Sequence, residues 1–175
     1  MKEERRKLAF CKENILDALK IHRELMDNKC QIVETEAFGK VLQVELTKLG
    51  GCEISVFAEV AFLDIGENKD VPFLTAQLGA DIFKNIPEEN IVEVIKTCNY
   101  VNGRLLTGLF GVAGSSLYYK CNLMIREFYP EDVQIQMIAD ALLNLEQSLN
   151  IFVDSFAFIG RGLETLEDEI KSGII

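Results

Sequence analysis

The chain has 175 residues, of which 49% are hydrophobic, and a net charge of −10 at pH 7. This length and composition suit a single domain with a substantial core. Residues 1–29 carry a net charge of +2, which leaves −12 on the remainder. The acidic remainder argues against a nucleic-acid-binding protein, because phosphate contacts need clustered Lys and Arg.

Five cysteines are scattered along the chain, and none belongs to a C-x-x-C pair. An odd number of dispersed cysteines favours reduced thiols over a disulfide framework. The charged N-terminus does not have the pattern of a signal peptide. No run approaches the roughly 18 apolar residues of a membrane span. We therefore expect a cytoplasmic protein that does not enter a membrane.

The first predicted element is an amphipathic helix over residues 3–27. From Leu8 to Leu25 apolar residues recur at spacings of three and four, and His22, the only histidine, falls on the same stripe. Because His22 falls on this stripe, we expect it to be partly buried where the helix packs.

Three strands of an antiparallel meander are predicted next. They cover residues 31–37, 40–48 and 52–62, and Gly50-Gly51 marks the turn between the last two. The third strand alternates most clearly, with Cys52, Ile54, Val56, Ala58, Val60 and Phe62 on one face. Residues 64–72 are polar and turn-rich, and Phe73 to Phe83 has no clean period, so it reads as strand or irregular structure.

A second helix is predicted from a cap at Asn85, with Pro87 near its first turn and Gly103 at its end. Its predicted inner face consists of Ile91, Val94, Ile95 and Cys98. A second hairpin follows over residues 105–112 and 117–125, with the turn at 113–116.

From Ile135 to Ile170 apolar residues again alternate at spacings of three and four. One straight helix of this length would measure about 54 Å, more than a compact chain of this size spans. The helix must therefore bend or leave its own domain, and Gly160 and Gly162 are the predicted bend.

Together the elements predict an α+β domain with an antiparallel sheet, in the order α-β-β-β-α-β-β-α. We expect a single domain over residues 1–175, with a core at about 3–159 and a C-terminal helical extension at 160–175.

No catalytic or metal-binding constellation emerges from the sequence. A single histidine and dispersed cysteines offer too few ligands for a conventional zinc site. Asp64, Glu67 and Asp70 do not match the calcium loop of an EF-hand, so a solvated turn is the better reading. We predict no catalytic residues, no metal and no cofactor, and do not expect an enzyme.

One glycine-rich stretch, from Gly108 to Ser116, leaves two interpretations open. Glycines permit close backbone approach to an anion, so a weak anion-binding or small-molecule site is one alternative, with Gly108, Gly111, Gly114 and Ser115 as its residues. The other is structural, because glycines also let a helix pack closely on a strand or mark a bulge. The stretch has no P-loop lysine and precedes a strand, which favours the structural interpretation.

The segment from Ile95 to Arg104, with Asn99 and Asn102 at a helix end, resembles the YbjN family of bacterial sensory-transduction-regulator-like domains. The hairpin over 106–125 and the helix over 141–154 follow in the same order. The resemblance spans about residues 10–159 and is clearest over 91–156. It implies a fold like that of type III secretion chaperones, no enzymatic activity, frequent homodimers and, in the chaperone branch, binding of extended partner segments.

We therefore expect a protein-interaction domain, chaperone-like or regulatory, that is homodimeric and binds a segment of a partner protein. The predicted interface residues lie on the long apolar stripe: Phe152, Phe156, Ile159, Leu163 and Leu166. For Phe152 and Phe156 the alternative is that the stripe packs in the core, so the residues after Gly160 are the better candidates for contact with another chain.

Overall fold

A computed structural model describes residues 2–63, 73–126 and 128–175, with side chains over 12–63, 74–126 and 128–175. This part of the chain forms α1 Lys2–Glu24, β1 Lys29–Thr35, β2 Gly39–Leu49, β3 Ile54–Leu63, β4 Phe73–Phe83, α2 Glu88–Asn102, β5 Leu109–Ala113, β6 Ser116–Arg126, α3 Glu131–Gly160 and α4 Leu166–Ser172. The α+β class is confirmed. The structure contains one strand, β4, and one helix, α4, that the predicted order lacks.

The described strands form one antiparallel sheet in the order β1-β2-β3-β4-β6-β5. One row across its inner face consists of Val44, Ala58, Ala80, Tyr119 and Phe110. Each of the five is at most 5% exposed. The helices cover this face, as the contacts of the Phe110 ring with the rings of Phe152 and Phe156 on α3 illustrate.

Strand β4 lies in the middle of the sheet, between β3 and β6. Leu74, Ala76 and Leu78 on the inner face are at most 2% exposed, and Thr75 on the opposite face is also buried. On that opposite face Gln77 and Gly79 are half-buried and Asp81 is exposed, so buried apolar positions alternate with less apolar ones from Leu74 to Ile82. The segment is therefore a strand with one covered face, and the expectation that it has no clean period is corrected.

Helix α1 turns a different face to the core than its sequence stripe predicts. Ile15, Leu16 and Leu19 are buried, but Leu25 is 82% exposed and lies beyond the helix end. His22 is exposed, so its predicted burial is wrong. Arg23, which is 1% exposed, takes the inward position at this end of the helix.

Helix α2 begins after Pro87, which is its N-cap residue, and Gly103 is its C-cap. Asn85 adopts a left-handed conformation with φ of 60° and is not the cap. Ile95 is 43% exposed. The predicted inner face is therefore corrected: the buried residues are Val94, Thr97, Cys98 and Val101.

The last residue of α2, Asn102, binds the backbone of the edge strand β5. Its Nδ2 donates to the carbonyl of Phe110 at 2.8 Å, and the Phe110 N–H donates to its Oδ1 at 2.7 Å. One side-chain amide thus pairs with both backbone groups of Phe110, as a neighbouring strand would. This contact fixes β5 against α2.

Replacing Asn102 by alanine is expected to lower the free energy of unfolding by about 1–3 kcal/mol, because the Phe110 N–H loses its partner. Urea denaturation measures the loss. Asn99→Ala is the matched control, since Asn99 lies on the same helix but is exposed. Equal losses for the two variants would contradict the role assigned to Asn102.

The apolar stripe of residues 135–170 is divided between two helices. Helix α3 ends at Gly160, and Gly162 has φ of 69°. The N–H of Gly162 donates to Ile159 at 2.9 Å and that of Leu163 to Phe158 at 3.0 Å, which closes the end of α3. The predicted bend is therefore a break between two helices. Helix α4 then contacts α2, where the Leu166 N–H donates to Glu93 Oε1 at 3.2 Å.

Candidate binding surface

Three of the five predicted interface residues lie in the hydrophobic core. Phe152 is 7% exposed, and Phe156 and Ile159 are each 1% exposed. They are not available to a partner of the folded protein, so their assignment to an interface is corrected. Leu163 and Leu166 lie beyond the end of α3. Leu163 is 65% exposed and Leu166 is half-buried, and their contact with another chain stays a prediction.

The glycine-rich stretch does not form an open cradle for an anion. A methyl group on Gly108 would overlap the hydroxyl of Tyr119, and one on Gly111 would lie 2.6 Å from the Tyr118 hydroxyl. These glycines therefore make room for tyrosine side chains, as the structural interpretation holds. Gly114 and Ser115 form the turn between β5 and β6, and the Ser115 carbonyl accepts from the Ile86 N–H at 2.9 Å.

The described residues contain no group of three or more His, Cys, Asp and Glu side chains that could hold a metal ion. The predicted solvated turn with Asp64, Glu67 and Asp70 lies outside the described residues. The thiols of Cys30, Cys52, Cys98 and Cys121 are free. Burial raises the pKa of Cys98 to about 12, so this thiol stays protonated at neutral pH.

Over the described ranges, no helix is both long enough and apolar enough to span a membrane.

The face of the sheet opposite the helices has a shallow, open depression, which we call the sheet trough. It has a volume of about 670 Å³ and crosses five of the six described strands. Its principal lining residues are Gln31, Gln43, Phe57, Glu59, Gly79, Asp81, Tyr118 and Lys120.

A row of polar side chains enters the trough from β1. Gln31 Nε2 donates to Gln43 Oε1 at 2.8 Å, and Gln43 Nε2 donates to Glu59 Oε1 at 2.8 Å. Each side-chain amide donates to the next residue, so all the hydrogen bonds of the row point from β1 towards β3. It ends on the carboxylate of Glu59, which this arrangement holds in position.

Beyond Glu59 the row continues through Gly79 to Lys120. A Cβ atom on Gly79 would have the Tyr119 carbonyl oxygen at 3.8 Å as its nearest neighbour, so the space above the glycine is open. The ammonium group of Lys120 has no ion-pair partner among the described residues. The trough therefore places a carboxylate and an unpaired ammonium on opposite sides of an open glycine.

The adjacent row consists of Phe57, Asp81 and Tyr118. Phe57 is 57% exposed, and its ring offers an apolar contact beside the charged groups. Asp81 is paired with Lys84 at 3.0 Å, and Tyr118 lies over Gly111.

The sequence did not single out these trough residues, because they come from separate strands. No protein-family model matches the chain, and no curated protein matches it.

Proposed function

We propose that this protein is a non-enzymatic binding protein that holds an extended segment of a partner protein in the sheet trough. The observation that carries the proposal is the pair of opposite charges, Glu59 and Lys120, on either side of the open Gly79. The Gln31–Gln43 row presents the carboxylate in a fixed position. Such preorganisation favours binding, because fewer side chains must be ordered when a ligand arrives.

The trough suits a peptide segment better than a small molecule. Small-molecule sites are mostly apolar and bury most of the ligand surface. The trough is instead an open face, lined with amide, charged and tyrosine side chains across several strands. An extended segment can make many polar contacts along such a face while one apolar side chain packs on Phe57.

The two charges define the chemistry of the segment. Glu59 and Lys120 lie two strands apart, which places their Cα atoms about 10 Å from each other. In an extended peptide, residues two or three positions apart are separated by about 7–10 Å. The fitting segment therefore carries a basic residue for Glu59 and, two or three positions away, an acidic residue for Lys120.

The resemblance of residues 91–156 to the YbjN family supports a binding role, because that family is usually not enzymatic and its secretion-chaperone relatives bind extended segments. A cytoplasmic homodimer with a chaperone-like or regulatory task forms part of the same proposal. The alternative interpretation, an anion site in residues 108–116, has less support, since Tyr118 and Tyr119 occupy the space at two glycines of this stretch.

A random peptide library, followed by fluorescence polarisation with the selected peptides, tests the trough. Gly79→Val places a side chain in the open space above position 79. The backbone there accepts a side chain, because no neighbour lies closer than 3.8 Å to the added Cβ. Valine also favours strands. We expect selected peptides to carry the basic and acidic pair, and the variant to weaken their binding at least about tenfold, equivalent to roughly 1.4 kcal/mol.

Thr47→Val is the matched control, because Thr47 is exposed on β2 and does not line the trough. It should bind the selected peptides as the wild type does. Failure to select any peptide, or equal binding by the Gly79→Val variant, would refute the trough as the binding site.

A further inference from the structure

Helix α4 carries a fully buried carboxyl group. Glu169 is 0% exposed, and its Oε2 accepts a hydrogen bond from the Ser155 hydroxyl of α3 at 2.6 Å. Its other oxygen, Oε1, is buried without a hydrogen-bond partner in the described structure. A buried carboxylate oxygen without a donor is unfavourable, so this contact requires a further explanation.

The charges around Glu169 are almost all negative. Glu164, in the connection before α4, lies within hydrogen-bonding reach of the Glu169 carboxyl, and Asp168 adds a second negative charge. From α2, Glu93 binds the first residue of α4 and pairs with Lys96 at 2.9 Å. From α3, the facing group is the uncharged Ser155.

The one lysine of α4, Lys171, is paired with Glu167 at 2.6 Å. No described cation therefore compensates the two carboxyl groups.

We propose that α4 is a proton-dependent latch, in which a protonated Glu164 donates a hydrogen bond to Glu169 while α4 is docked on α2 and α3. The proton on Glu164 removes one of two adjacent negative charges, which cannot both be accommodated at low cost. It also provides the donor that Glu169 Oε1 otherwise lacks.

The direction of the pH dependence follows from the raised pKa of Glu164, whose first cause is its hydrogen bond with Glu169. In the undocked state we expect Glu164 to titrate near the ordinary glutamate pKa of about 4.3. The docked state thus binds more protons. Its added stability is complete below the ordinary pKa and is lost as the pH rises through the raised pKa.

Hydrogen exchange of the full-length protein, followed by mass spectrometry between about pH 4 and pH 8, tests the latch. The ratio of exchange in residues 163–175 to exchange in residues 141–150 cancels the intrinsic effect of pH. In the wild type we expect α4 to lose protection as the pH rises, up to about tenfold for each unit by which the pKa is raised.

Glu164→Gln supplies a neutral amide donor, so we expect its α4 to stay protected over the whole range. Glu167→Gln is the matched control, because Glu167 lies on the same helix, is exposed and faces Lys171. It should follow the wild-type profile. A wild-type ratio that does not change with pH, or a Glu164→Gln profile equal to that of the wild type, would overturn the latch.

Discussion

Replacing Phe156 by alanine is expected to lower the free energy of unfolding by about 3–5 kcal/mol. Phe156 is 1% exposed, and its ring lies 4.9 Å from that of Phe110 on β5. The substitution would leave a cavity between α3 and the sheet and would remove this aromatic contact. Urea denaturation of the purified variant, with the slope compared with that of the wild type, measures the loss.

Phe57→Ala is the matched control, because Phe57 is 57% exposed on the opposite face of the sheet. It should change the free energy of unfolding by no more than about 0.5 kcal/mol. Comparable losses for Phe156→Ala and Phe57→Ala would show that Phe156 does not lie in the core.

Replacing Glu146 by alanine is expected to lower the free energy of unfolding by about 3–5 kcal/mol, because it leaves a buried charge unpaired. Glu146 Oε2 accepts from Arg23 Nη2 at 2.6 Å, and the Arg23 side chain is 1% exposed. The Nε atom of Arg23 already has no hydrogen-bond partner in the described structure. The guanidinium therefore depends strongly on this carboxylate, and thermal or urea unfolding should report its removal.

Arg23→Met should be clearly less destabilising than Glu146→Ala. Methionine keeps much of the buried volume, and the remaining Glu146, which is 29% exposed, can be hydrated. The double variant should recover most of the stability lost in Glu146→Ala, since no unpaired charge is left inside. If Arg23→Met were as destabilising as Glu146→Ala, or if the double variant showed no recovery, this account of the pair would be wrong.

Local periodicity was sufficient to predict most elements. The alternation of Val56, Ala58 and Val60 on β3, and of Leu117 and Tyr119 on β6, corresponds to buried positions on one face of the sheet. In both strands the opposite face is more exposed to solvent, so the period of two is visible in the sequence.

The errors arose where burial depends on neighbours distant in the sequence. On α1 the stripe predicted His22 inside, but Arg23 points inward because Glu146 of α3 offers it a partner. The stripe of residues 135–170 predicts one helix that bends at Gly160 and Gly162, because glycines weaken a helix. Local spacing does not indicate the direction that the chain takes after these glycines. The left-handed conformation of Gly162 ends α3.

The sequence by itself determined the α+β class, the two hairpins and the positions of the main helices, because each depends on the spacing of residues within one element. Only the tertiary structure decided that Phe152 and Phe156 belong to the core and that Gln43, Glu59 and Lys120 meet in the trough. These arrangements depend on strand register, which aligns residues far apart in the chain. Burial and proximity are properties of the whole packed sheet, so no single segment can encode them in its own pattern.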